Sequence, residues 1–307
     1  MKVLVTPRSF GKTSPEGFLL LEQAGFEIIR NETGGILTTE QMSEMLADCE
    51  GVIIGVDPLN REVLTAAPKL RAIAKYGVGT DNIDLAECEK RGIKVTRTVG
   101  SNANAVADYA FSLMLAVARK VTSIDAMCRK LDWRKTTAID VYGKTLGLIG
   151  LGAIGRCVAK RAGGFDMRIL AHDINWDDEY AKSACIEQAD LRQIYCNADF
   201  ISIHVPLNNQ TRNMIGAREI SLMKPTAVIV NTARGGIINE NDLIAALKQN
   251  KIYGAGIDAF EEEPLKNPAW FELENVIISS HTAASTVGAT EAMSRMAAEN
   301  IIYQLKG

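Results

Sequence analysis

Short runs of β-branched and aliphatic residues alternate with stretches of helical period along nearly the whole chain. That rhythm predicts parallel sheets covered by helices on both faces. A first array places strands at Lys2–Thr6, Phe26–Arg30, Gly51–Val56, Leu70–Lys75 and Ile93–Thr98. Helical patterns fill the gaps, over Pro15–Ala24, Thr39–Asp48, Asn60–Ala66 and Asn82–Arg91. Elements in this order fit a flavodoxin-like sheet. A second array places strands at Thr145–Gly150, Met167–Ala171, Phe200–Val205, Ala227–Asn231, Ile252–Ile257 and Val276–Ser280. The expected fold class is therefore α/β, with two doubly wound parallel-sheet domains.

Between the arrays, the stretch from Asn102 to Lys130 is rich in Ala, Leu, Met and Val and contains neither proline nor glycine. It predicts one long connecting helix, apolar enough to be covered by something beyond its own domain: the neighbouring domain or a second copy of the chain. A final helix over Gly288–Leu305 follows the last strand of the second array and is expected to fold back onto the first.

The chain has 307 residues, 47% hydrophobic and 23% charged, which suits two domains that each bury a core. A net charge of -3 offers no basic footprint for nucleic acid. The chain opens directly into a strand, without a signal-type segment. No apolar run approaches the ~20 residues a membrane span needs. A cytoplasmic protein is expected. None of the six cysteines falls in a C-x-x-C pair, so reduced, inert thiols are expected and no metal site.

The strand ending at Ile149 runs into Gly150-Leu-Gly152-Ala153-Ile154-Gly155 and then into a helical pattern over Arg156–Ala162. With a strand before, a helix after and an acid about 20 residues on, this is a dinucleotide-binding signature. Gly150 serves the turn, Gly152 lets the main chain approach a pyrophosphate, and Gly155 packs the helix on its strand. Asp173 closes the next strand, where a carboxylate accepts hydrogen bonds from ribose hydroxyls and repels a 2′-phosphate. No arginine follows in Ile174-Asn175-Trp176. NAD is preferred over NADP.

Ligands of open α/β sheets bind beyond the carboxyl ends of the strands. There the second array places His204, Asn231 to Arg234, Asp258 with Glu263 beyond it, and His281. Reducing a ketone needs a proton donor for the developing alkoxide, and histidine titrates nearest neutrality. It also needs a cation to grip the acid's carboxylate, a task for a planar arginine. His172, just before Asp173, reads as a strand-end packing residue. His204 and His281 both sit at the right edge, and the preference for His281 rests only on Glu263 lying in the loop before the last strand.

At these residues the sequence resembles the D-isomer-specific 2-hydroxyacid dehydrogenase family, and within it most resembles the phosphoglycerate dehydrogenases. The likeness runs nearly end to end and is strongest over Leu222-Met-Lys-Pro-Thr-Ala-Val-Ile-Val-Asn-Thr-Ala-Arg-Gly-Gly236. Tyr76-Gly-Val-Gly-Thr-Asp-Asn-Ile-Asp84, Ser101-Asn-Ala-Asn-Ala-Val-Ala-Asp108, Gly254-Ala-Gly-Ile-Asp-Ala-Phe260 and Ser280-His-Thr-Ala283 add to it. The resemblance implies a triad of Arg234, Glu263 and His281, with His281 as acid/base, Glu263 its partner and Arg234 the group that binds and polarises the 2-oxo acid. It implies that Gly77, Val78 and Gly79 hold the substrate carboxylate by main-chain N–H groups, with Asn102 nearby. His204, Val205, Pro206, Thr232, Ala233 and Asp258 would line the nicotinamide side. It implies a substrate-binding domain of residues 1–99 plus 284–307, an NAD-binding Rossmann domain of residues 100–283, a cleft that closes on the reactants, and a homodimer built around the long helix.

Two departures bear on the substrate. The chain stops soon after the closing helix, so the regulatory domain of longer phosphoglycerate dehydrogenases is expected to be absent. The family's phosphate-binding arginine after the third strand is replaced, because the stretch reads Val52-Ile-Ile-Gly-Val-Asp57. Arg8 and Lys75, with Ser9, sit at neighbouring strand ends and could rebuild such a pocket; Lys12 lies on the same edge. On that basis 3-phosphohydroxypyruvate is the expected oxidised substrate. The alternatives are a glyoxylate or hydroxypyruvate reductase, a general D-2-hydroxyacid dehydrogenase, and a non-catalytic NAD-sensing corepressor.

Overall fold

Two parallel sheets organise the chain. The computed structural model describes residues 1–307 and divides into two units, Met1–Asn102 with Ala284–Gly307, and Ala103–Ala283.

In the first unit, β1 (Lys2–Val5), β2 (Glu27–Arg30), β3 (Gly51–Ile54), β4 (Ala72–Lys75) and β5 (Lys94–Arg97) form a sheet of order β2-β1-β3-β4-β5. This is the flavodoxin order, with its switch point between β1 and β3. β3 and β4 are buried throughout, whereas the edge strands β2 and β5 begin exposed. Central strands of such a sheet read as unbroken apolar runs for this reason. Helices α1 (Glu16–Gln23), α2 (Thr39–Leu46), α3 (Arg61–Ala66) and α4 (Leu85–Lys90) cover it. The last three start where Thr38, Asn60 and Asp84 accept a hydrogen bond from a first-turn N–H. The C-terminal helix Val287–Lys306 also belongs here: Ala297, Ala298, Ile301 and Leu305 are buried with Val3, Val5, Leu21 and Ile53.

The second unit contains α5 (Ala103–Ala118), α6 (Val121–Cys128), β6 (Thr145–Ile149), α7 (Ala153–Gly163), β7 (Arg168–His172), α8 (Asp178–Ser183), β8 (Ile186–Gln188) and α9 (Leu191–Asn197). It continues through β9 (Phe200–Ile203), α10 (Ala217–Ile220), β10 (Val228–Asn231), α11 (Glu240–Lys248), β11 (Gly254–Ile257) and β12 (Val276–Ile278). The strand order is β12-β11-β10-β9-β6-β7-β8. The chain starts at β6, runs outward to β8 and returns to β9, so the switch point lies between β6 and β9. β8 is one strand more than the pattern predicts. It is short and at the sheet edge, and of Ile186-Glu-Gln188 only Ile186 is buried.

The single long helix expected over Asn102–Lys130 is two. Lys120 takes a left-handed φ of 52° between α5 and α6. The carbonyl of Ala118, which would continue α5, instead accepts from Ile139 N–H at 3.2 Å and Tyr253 Oη at 3.3 Å. Those bonds join residues distant in sequence, so no local signal marks the break. α5 is also covered within its own unit. Ala107, Leu113, Met114 and Val117 share a core with Leu146, Val158 and Val228. α6 buries no residue. No helix is long and apolar enough to cross a membrane.

Candidate active site

The glycine loop sits at the switch point of the second sheet, between β6 and α7. Gly150 has φ of 100°, and a Cβ there would lie 2.6 Å from the carbonyl oxygen of His204; one at Gly155 would lie 2.2 Å from that of Gly150. These glycines are required by the protein's own packing. Gly152 is not: its φ is -74°, and a Cβ would meet nothing within 4 Å. The space it leaves open lies at the start of α7, whose first turn has no side-chain cap. Uncapped N–H groups facing open space suit a pyrophosphate.

Asp173, just past β7, is held by main-chain donors. Its Oδ2 accepts from Leu151 N–H at 2.6 Å and its Oδ1 from Asn175 N–H at 2.8 Å. The carboxylate is thereby fixed beside the glycine loop, with lone pairs remaining for a ribose diol. Arg156, which follows the motif and was not singled out by it, donates to Leu151 O at 3.2 Å and Asp177 Oδ2 at 2.7 Å and stacks on Tyr180.

Two buried polar atoms on this edge lack partners, Nδ1 of His204 after β9 and Oγ1 of Thr232 after β10. Buried groups are rarely left so, and both stand at strand ends that flank the glycine loop. With Gly152 and Asp173 they make a donor and acceptor set that fits NAD. Val205 packs on Gly150, its Cγ1 lying 3.1 Å from where a Cβ would be. Ala233 N–H is taken by Asn231 Oδ1 at 3.0 Å.

The two histidines left open by the sequence are in different states. His204 pairs through Nε2 with Ser202 Oγ at 2.9 Å, and burial pushes its pKa down to about 3. It stays neutral at physiological pH and is a poor proton donor. His281 is partly exposed, and its Nδ1 lies 3.0 and 2.9 Å from the two carboxylate oxygens of Glu263. Nδ1–H bound to a carboxylate leaves Nε2 to exchange a proton with substrate. For Glu263, burial alone would raise the pKa, but the hydrogen bond from His281, one from Phe260 N–H at 3.0 Å, and the charges of His281 and Arg234 outweigh it. The net shift is downward, so Glu263 is ionised. The fold thus brings Arg234, Glu263 and His281 together. Arg234 Nη1 also donates to Ala233 O at 2.7 Å, and its carbonyl accepts from Asn231 Nδ2 at 2.8 Å.

His281 has φ of 52°, a conformation that persists only where the surroundings impose it. Asp258, fully buried, imposes it. Its Oδ1 accepts from Ser279 Oγ at 2.6 Å and Thr282 N–H at 2.9 Å, and its Oδ2 from Ala283 N–H at 3.0 Å. This corrects the expectation that Asp258 lines the nicotinamide, because its oxygens are occupied by the turn that presents His281.

Two further expectations in the first unit need correction. Gly77 N–H donates to Thr98 Oγ1 at 2.8 Å, so of the expected carboxylate-binding loop only Val78 and Gly79 keep unengaged N–H groups. Lys75 is 6% exposed; its Nζ donates to Gly55 O and, at 2.8 Å, to Asn82 Oδ1. That ammonium braces the loop between Lys75 and Asn82 and does not offer itself to a phosphate. Asn102 retains a buried Oδ1 without a partner. Arg8 is exposed, and Ser9 Oγ lies 3.3 Å from Tyr76 Oη.

Residues 111–283 match the family described as D-isomer specific 2-hydroxyacid dehydrogenase, NAD binding domain. A glyoxylate reductase of Thermococcus litoralis is 43% identical over 265 residues, covering 83% of this chain and 80% of that one. A D-3-phosphoglycerate dehydrogenase of Methanocaldococcus jannaschii is 39% identical over 311 residues, covering 100% of this chain and 58% of that one. Among solved structures, D-lactate dehydrogenase of Aquifex aeolicus complexed with NAD and lactic acid superposes with a TM-score of 0.85 at 28% identity, covering 99% of this chain and 98% of that one. The chain belongs to the D-isomer-specific 2-hydroxyacid dehydrogenase family and is an NAD-dependent oxidoreductase.

Proposed function

We propose that the enzyme reduces a short, unphosphorylated 2-oxo acid of the glyoxylate and hydroxypyruvate class with NADH. The observation that carries this reading is the chemistry at the switch point of the first sheet. There Asp57, 3% exposed, accepts from Thr6 Oγ1 at 2.5 Å and Leu37 N–H at 2.9 Å. Next to it, Gly55 O is occupied by Lys75 and Asn82. A phosphate approaching these strand ends would meet the Asp57 carboxylate, while the Lys75 ammonium is already engaged by Gly55 O and Asn82 Oδ1 and Arg8 lies exposed. The glyoxylate reductase of T. litoralis, at 43% identity, points the same way.

Unit Ala103–Ala283 would hold NAD through the N–H groups of Gly152, Ala153, Ile154 and Gly155, through Asp173, and through the strand ends at His204–Pro206 and Thr232–Ala233. Bound NADH supplies the hydride that reduces the oxo carbon. His281 gives the oxo oxygen its proton from Nε2, and Glu263 holds the ring in place through Nδ1. Arg234 grips the carboxylate and polarises the oxo group. The unit Met1–Asn102 with Ala284–Gly307 would serve substrate binding, through the N–H groups of Val78 and Gly79 and through Asn102.

Catalytic efficiencies on glyoxylate, hydroxypyruvate and 3-phosphohydroxypyruvate test the substrate. The unphosphorylated acids should lead by ~10-fold or more, the ratio set by about 1.4 kcal/mol. A preference for the phosphorylated acid that Arg8→Ala abolishes would overturn the reading. Glu263→Gln gives a second expectation. Without the carboxylate that fixes the ring through Nδ1, kcat should fall by ~10-fold or more with KM for NADH near wild type, and an unchanged kcat would remove Glu263 from the mechanism.

A homodimer is also proposed. Leu131 and Trp133, in the segment after α6, are 85% and 78% exposed, an apolar surface that a second copy would cover. Sedimentation of the wild type and of Trp133→Ser tests it.

A further inference from the structure

We infer that Glu240 is a positioning residue for the acid/base pair, holding the loop that carries Glu263 against the turn that carries Arg234. The inference rests on the triad proposed above. Glu240 is the first residue of α11, the helix that follows the Arg234 turn. Its Oε1 accepts from Glu261 N–H at 2.6 Å and its Oε2 from Trp270 Nε1–H at 3.3 Å. Glu261 and Trp270 lie on either side of Glu263 in sequence, so one carboxylate grips the loop at both flanks of its catalytic residue.

The two segments also touch main chain to main chain. A Cβ at Gly235 would lie 1.9 Å from the carbonyl carbon of Phe260 and 2.2 Å from Glu261 N. Only a residue without a side chain allows that approach, and the Glu240–Glu261 bond closes the same contact. Phe260 in turn donates its N–H to Glu263 Oε1 at 3.0 Å. Its ring stands edge-on to the buried Trp270, with centroids 5.5 Å apart. The piece of chain that Glu240 fixes is therefore the piece that aims Glu263 at His281.

An acid in a first helical turn has an ordinary explanation, the helix dipole. Here that explanation falls short. Asn239 already caps α11, accepting from Asp242 N–H at 3.1 Å. Burial pushes the Glu240 carboxyl up, and the charges of Glu261 and Glu263 push it the same way, outweighing the two hydrogen bonds. A carboxylate serving only the dipole would sit in solvent. This one is half-buried beside two other acids, a costly place that the grip on the Glu263 loop accounts for.

The test compares Glu240→Ala and Glu240→Gln, each alone and with Glu263→Gln, by kcat and KM for NADH. Glu240→Ala should lower kcat by ~10-fold with KM for NADH within ~2-fold of wild type, the loss expected for a displaced acid/base partner. Glu240→Gln keeps an acceptor for Glu261 N–H and should recover most of the rate. In the Glu263→Gln background Glu240→Ala should cost nothing more, because residues that act as one unit are not additive. A loss that persists in that background, or an unchanged kcat in Glu240→Ala, overturns the inference. If Glu240→Ala does not fold, Trp270→Phe removes one of the two grips and should lower kcat by a smaller factor with KM for NADH unchanged; an unchanged kcat again overturns it. Should Glu263→Gln itself leave kcat unchanged, the triad reading fails instead.

Discussion

Replacing His281 by alanine is expected to lower the turnover of 2-oxo acid reduction by ~100-fold or more, the scale of a lost general acid, while NADH still binds. The expectation rests on the different states of the two histidines at the strand ends. His281 shares its Nδ1 with both oxygens of Glu263, which fixes the ring and leaves Nε2 to face the substrate. The turn is built to present it: the left-handed conformation of His281 is held by three bonds to the buried Asp258. His204 has no carboxylate partner, and burial keeps it neutral down to about pH 3. His204→Ala should weaken cofactor affinity and leave the chemical step close to wild type. Single-turnover rates with NADH binding measured in parallel separate the two. Equal losses in the chemical step would mean that the proton donor has been misassigned.

Much of this was legible in the chain because parallel α/β sheets write their pattern locally. Central strands such as Val52–Ile54 and Val228–Val230 are buried on both faces and read as continuous apolar runs. The glycine motif, Asp173 and the strand-end residues could be found from spacing, since each follows a strand. What sequence did not show are bonds between distant residues. The α5–α6 break depends on Ile139 and Tyr253 capturing one carbonyl. Asp258 looked like a strand-end ligand but is occupied by a turn that begins at Ser279. Lys75 looked like a cation at the substrate edge, yet its ammonium turns inward to Gly55 and Asn82. Gly77 loses its N–H to Thr98, a residue on the neighbouring strand end. For Asp258, Lys75 and Gly77 the position beside a strand end is the one the sequence pattern predicts, and the hydrogen-bond partner decides what the group is engaged with. That distinction also moves the proposed substrate away from a phosphorylated acid.

Cofactor choice gives the other large effect: NADH should exceed NADPH in catalytic efficiency by at least ~100-fold. The carboxylate of Asp173 is not a mobile surface acid. Leu151 and Asn175 N–H groups pin it at 2.6 and 2.8 Å, so it cannot swing aside to admit a 2′-phosphate. A phosphate there meets a fixed like charge at short range, and the enzyme forfeits the charge-assisted bonds to the ribose hydroxyls, worth ~1.5–3 kcal/mol each. About 2.8 kcal/mol already amounts to a factor of ~100. Nothing nearby offsets the loss. Ile174, 85% exposed, and Asn175 carry no charge, and Arg156 is committed to Asp177 and Leu151 O. Asp173→Ala should narrow the ratio to within ~10-fold, chiefly by raising KM for NADH as its ribose bonds are lost. Asp173→Ala with Asp177→Ala should narrow it further, because it releases the Arg156 guanidinium to meet a phosphate. Efficiencies for both cofactors at saturating 2-oxo acid test the assignment, and a wild-type enzyme that uses NADH and NADPH equally well would show that Asp173 does not hold the ribose.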